Sequence, residues 1–92
     1  MEALASEEIA TRVGELDGWS YDDGKLRASF EFADFVEAFG FMTRVAIVAE
    51  KLFHHPDWSN SWNRVDIAIV DHEAGGVSEL CFELADRVNS LR

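Results

Sequence analysis

From Phe35 to His54 the chain runs without a proline and is apolar around most of a helical circumference. Phe35, Ala38, Phe39, Met42, Val45, Ala46, Ala49 and Phe53 recur at helical spacing and form a broad core stripe. Glu37, Arg44 and Lys51 repeat every seven residues and mark a narrow wet stripe. Phe41 and Val48 lie off the core stripe. Asp34 stands where it can cap the helix, so the predicted element spans 34–54. A helix this apolar must be covered on more than one side. A chain of 92 residues has little surface to spare for that. The expected second cover is another copy of the chain, the alternative being the first helix or a loop.

The segments on either side read as hairpins and shorter helices. Ser6 can cap a first helix whose Ile9, Val13 and Leu16 share a face and which Gly18 ends. Asp22-Asp23-Gly24-Lys25 is a hairpin turn signal. Leu26, Ala28, Phe30 and Phe32 alternate with Arg27, Ser29 and Glu31, as in a strand covered on one side only. Pro56 is expected to stop the long helix and to turn His55 away from helical angles. Trp58 to Val70 is extended, with Asn60 and Asn63 offering a turn between two strands. Ser78 caps a last helix whose Val77, Cys81, Leu84, Ala85 and Val88 share a face. The order is α-β-β-α-β-β-α in one domain, 1–92. It predicts an α+β fold, a two-layer sandwich with an antiparallel four-stranded sheet and helices packed on one face.

Composition removes several classes of function. Eighteen acidic against eight basic residues give a net charge of −10. No basic patch is visible, so nucleic acid is not an expected partner. No apolar run approaches the ~20 residues of a membrane helix. One cysteine excludes an internal disulfide, and Met1-Glu2-Ala3-Leu4-Ala5 has no signal-type block. The expectation is a cytoplasmic protein.

Only three groups titrate near neutral pH: His54, His55 and His72. With His54 on the helix, Glu50 shares its face four residues earlier, and a carboxylate there would fix the imidazole's tautomer. His72 follows Asp71 at a strand end. Imidazoles converging on one pocket can take a proton at one place and give it at another, as an elimination needs. The same residues admit other readings: a metal site of two or three histidines with Glu50 or Asp71, a polar helix end, or a binding module built on the large helix.

The pattern Glu50-x3-His54-His55-Pro56-x5-Trp62-x9-His72 resembles the signature of the pterin-4a-carbinolamine dehydratases. Phe32-x-Asp34-Phe35, the stretch from Ala38 to Leu52, and Gly76-Val77-Ser78-Glu79 are similar to that family too. The resemblance implies a dimer or tetramer assembled through the central helix, without metal or organic cofactor. It also implies dehydration of 4a-hydroxytetrahydropterin to the quinonoid dihydropterin, recycling the pterin spent by an aromatic amino acid hydroxylase. Carried over by position, His54 and His72 would transfer protons and His55 would orient the ring. Glu50 would support His54, Trp62 would wall the pocket, and Asp71 would add charge beside His72. Some members of the family act instead as protein partners or assembly factors. One departure stands out: the family usually has an acidic residue where this chain has Cys81, in Ser78-Glu79-Leu80-Cys81. The thiol is expected to be a small buried apolar group, replacing the acid poorly both as a cap and as a histidine's support.

Overall fold

The computed structural model describes residues 1–92. Helix α1 covers Ser6–Val13, strand β1 Ser20–Asp22 and strand β2 Lys25–Glu31. Helix α2 covers Phe35–Leu52, strands β3 and β4 cover Asp57–Ser61 and Arg64–Ile69, and helix α3 covers Glu79–Asn89. The strands form one antiparallel sheet in the order β1-β2-β4-β3. The α+β sandwich expected from the sequence is therefore the observed fold.

The register explains the core. Leu26 lies opposite Ile69, Ala28 opposite Ile67 and Phe30 opposite Val65, so the apolar positions of the two central strands face the same layer. All six are buried, together with Ile9 of α1, four residues of α2, and Leu84, Ala85 and Val88 of α3. The other sheet face carries Arg27, Ser29, Arg64 and Asp66; the last three bond among themselves across the strands, and Arg27 donates to the Asp22 carbonyl. Asp23 and Gly24 both take positive φ, the geometry a two-residue hairpin needs. Asn60 and Asn63 frame the second turn: Asn60 Nδ2 donates to the Trp62 and Arg64 carbonyls, and Asn63 Nδ2 to that of Phe32.

The helix ends depart from expectation in three places. Ser6 lies inside the first turn of α1 with Ala5 ahead of it, so it is not the cap. That helix ends at Val13, and Gly18, with φ 83°, closes the irregular turn that follows. Helix α2 is capped by Asp34 as expected, the carboxylate accepting from the Glu37 amide at 2.8 Å. It stops at Leu52, however, before Pro56 can act, because Phe53 adopts the left-handed conformation.

The face that α2 turns inward also differs. Ala38, Phe41, Val45 and Ala49 are buried, and Val48 packs at the core's edge. Phe35, Phe39, Ala46 and Phe53, expected inside, are exposed. Phe41 fits between Phe30 and Phe32, with ring centroids 5.1 and 4.9 Å away, while the small Ala38 and Ala49 let the helix lie close to the sheet. The wet stripe of Glu37, Arg44 and Lys51 is exposed as expected. What remains is a second apolar face carrying Phe35, Val36, Phe39 and Ile47.

Candidate active site

The site begins where α2 unwinds. The Phe53 amide donates to the Glu50 carbonyl and the His54 amide to that of Ala49. This double closure is the Schellman motif, in which glycine usually holds the left-handed position. Phe53 holds it here with φ 51° and its side chain 78 % exposed. The reversal carries His54 inward and leaves His55 at the surface. Glu50 and His54 therefore do not share a helical face. Glu50 Oε1 instead meets His55 Nε2 at 2.8 Å. Pro56 then leads into β3.

The opposite wall comes from the end of β4. Asp71 and Gly76 bridge a short loop that carries His72 outward. Asp71 points inward: Oδ1 accepts from the Ala74 amide at 3.1 Å and Oδ2 from the Ser78 hydroxyl at 2.8 Å. The Ser78 hydroxyl, then the Ala74 amide, hold the Asp71 carboxyl below the usual carboxylate range. His72 Nε2 lies 4.0 Å from Asp57 Oδ2.

His54, His55, His72, Pro56 and Asp71 all line one open cavity of about 620 Å³. His54 is 9 % exposed. Burial pushes its imidazole below the ordinary histidine value; Asp71 opposes this, and His55 and His72 add to it. The cavity thus offers one buried neutral imidazole and two exposed ones. A second concavity of about 590 Å³ on the open sheet face holds no histidine. No group of three or more His, Cys, Asp or Glu residues is placed to hold a metal ion.

Trp62 is not brought to this cavity. It occupies the β3–β4 turn, with φ 48° and 64 % exposed. It lies five positions along the chain from Asp57 at the cavity, about 16 Å at the usual strand rise. One residue to which the sequence reading gave no place in the site lies directly against it instead. Cys81 Sγ lies 3.3 Å from His54 Nε2 and accepts from the Ser78 amide at 3.4 Å. The thiol is buried, as expected of a small apolar group, and it also touches a histidine and the amide that opens α3. The spacing Ser78-x-x-Cys81 was the available signal, since it puts residue 81 back against the start of its own helix.

The sequence profile described as pterin 4 alpha carbinolamine dehydratase matches residues 2–91. The chain belongs to that family. Relatives bearing the dehydratase's name include one from Rhizorhabdus wittichii, 50 % identical over 93 residues, covering 99 % of this chain and 96 % of that one. Another, from Paraburkholderia xenovorans, is 48 % identical over 90 residues, covering 96 % and 94 %. The crystal structure of a transcriptional coactivator/pterin dehydratase from Brucella melitensis superposes with a TM-score of 0.93 at 42 % identity, covering 98 % of each chain. No helix is long and apolar enough to cross a membrane.

Proposed function

We propose that this chain dehydrates a 4a-hydroxytetrahydropterin to the quinonoid dihydropterin and water, returning the pterin to a hydroxylase in the cytoplasm. The observation that carries this reading is the meeting of all three histidines and Asp71 at one cavity, within a chain of the dehydratase family. Loss of water requires a base at N5–H and an acid at the 4a-hydroxyl. His54, buried and held neutral, suits the base. Glu50, expected to support His54, supports His55 instead, orienting that ring and supplying a counter-charge when it carries a proton. The acid role passes to His55 on this ground. The N5–H bond breaks, its proton goes to His54, and the electron pair forms the N5–C4a double bond. The C4a–O bond breaks as His55 gives its proton to the departing hydroxyl. His72, the most exposed imidazole at the mouth, passes protons between the two rings and solvent.

The test generates the 4a-carbinolamine with a hydroxylase and follows quinonoid formation with and without the protein. Wild type accelerates it, and His54→Ala loses on the order of 10²–10⁴-fold, the range a proton-transfer group is worth. A double His54→Ala, His55→Ala variant as active as wild type would sink the mechanism.

The same reading includes a homo-oligomer, dimer or tetramer, through α2. Its support is the exposed apolar face of Phe35, Val36, Phe39 and Ile47, which a lone domain would leave wet. A second reading, a protein-binding module, shares that support, because the face would equally receive another protein's helix.

A further inference from the structure

A row of buried polar groups starts at His54, passes through Cys81 and Ser78, neither of which lines the cavity, and ends at Asp71, which does. His54 Nε2 meets Cys81 Sγ at 3.3 Å, Sγ lies 3.8 Å from Ser78 Oγ, and Ser78 Oγ reaches Asp71 Oδ2 at 2.8 Å. Ser78 and Cys81 have no exposure at all. The row crosses from the end of α2 to the start of α3 and back to the end of β4.

Counting protons along the row orients it. The Ser78 hydroxyl has one proton, and an ionised carboxylate at 2.8 Å takes it in preference to sulfur at 3.8 Å. Ser78 Oγ can then only accept; the capping box turns it toward the Cys81 amide, and the thiol is the one side chain of the row able to donate to its remaining lone pair. With its proton turned to Oγ, sulfur presents lone pairs to the Ser78 amide and to His54. Nε2 therefore carries a proton, and Nδ1 is the bare nitrogen. No buried side-chain nitrogen or oxygen lacks a hydrogen-bond partner. Nδ1, which has none, accordingly keeps access to the solvent side, where the cavity lies.

We propose that Cys81, Ser78 and Asp71 act as a positioning relay that fixes His54 as its Nε2–H tautomer and presents the Nδ1 lone pair to the cavity. The catalytic consequence rests on the dehydratase reading; the tautomer does not. The relay also sets the charge at a distance: the group beside the ring is a neutral thiol, and the carboxylate lies two groups further back, at Asp71. The other titratable groups around His54 are His55 and His72 on the cavity side, with Glu50 behind His55 and Asp57 beside His72.

The experiment is histidine ring-nitrogen NMR on ¹⁵N-labelled full-length protein, with kcat, KM and pH–rate profiles measured alongside. In wild type above the His54 pKa, the spectrum shows Nε2 protonated and Nδ1 bare. In Cys81→Ala the two tautomers mix, and kcat falls about tenfold with KM little changed, less than the loss of a proton-transfer group itself. Cys81→Ser retains the tautomer and most of kcat. Cys81→Asp raises the His54 pKa by about one unit or more, the usual effect of an adjacent carboxylate, and moves the acidic limb of the pH–rate profile by the same amount. Ser78→Ala breaks the row at its middle and gives the same tautomer mixing, should Cys81→Ala fold poorly. A wild-type spectrum with Nδ1 protonated, or a pure Nε2–H tautomer in both Cys81→Ala and Ser78→Ala, overturns the relay. An inactive wild type with the Nε2–H tautomer intact overturns the dehydratase reading and leaves the relay standing.

Discussion

Each of the residues that make the site carries a local cost or gain that can be measured. His54 is held below its ordinary pKa in the folded chain, so the unfolded chain binds the proton more readily. Its contribution to stability is complete above the unfolded value of about 6.5 and is lost as pH falls from there toward the folded value. Asp71 behaves in the same direction lower down. Its carboxyl is depressed, so its contribution persists above the ordinary carboxylate range of about 4 and disappears as pH falls below it. Chemical denaturation at a series of pH values should therefore show stability falling in two steps between neutrality and strong acid. His54→Gln should remove the upper step. Phe53 is a different case. A phenylalanine at φ 51° bears backbone strain and here buries almost nothing in return. Phe53→Asn should stabilise the chain by about 1 kcal/mol, raising Tm by roughly 4–8 °C in a domain this small. An unchanged or lower Tm would mean that the exposed ring is packed in the assembled protein. Phe53 also explains why the partner of Glu50 was misread. The histidines were plain in the sequence, but a left-handed phenylalanine carries none of the glycine or asparagine signal that marks a helix stop, so Glu50 was set against His54 instead of His55.

At the scale of elements, α2 decides most of the behaviour. Its length, its Asp34 cap and its wet stripe were legible because each has a local signature. Which apolar stripe faces the sheet was not legible, since two candidate stripes differ little in hydrophobicity and the choice depends on shape across the interface. Phe41 goes inward because Phe30 and Phe32 leave room for a ring there, and no periodicity within the helix encodes that. The consequence is that Phe35, Val36, Phe39 and Ile47 remain available for an interface. Phe39→Asp should dissociate the proposed oligomer without unfolding the domain, seen as a solution mass below that of the wild type by light scattering with little change in circular dichroism; a wild type that is already monomeric overturns the proposal. Asp34→Ala should cost about 1 kcal/mol by loss of the cap, read as a lower denaturation midpoint.

Across the whole molecule, the fold was readable because the alternation of β2 and β4 dictates one buried sheet face and the hairpins leave few ways to arrange it. The site was only partly readable because four separate segments build it: the end of α2, the approach to β3, the loop after β4 and the first turn of α3. Joining them requires the tertiary packing, which is why the burial of Cys81 was legible and its contact with His54 was not. The same economy makes the core sensitive. Ile67 is buried at the centre of the sheet, and Ile67→Ala should cost about 2–5 kcal/mol, a large share of the 5–15 kcal/mol typical of a domain. Equilibrium unfolding in urea measures it. Finally, Cys81 is the chain's sole thiol and has no exposure, and burial pushes its pKa up. An alkylating reagent can reach it only when the start of α3 lifts away from β4 and the end of α2. One naturally placed thiol thus serves as a clock for the opening of the cavity wall. A pterin that binds only the closed form must slow that clock by the factor its concentration and affinity set, so labelling rates would report occupancy of the site without any chemistry being followed.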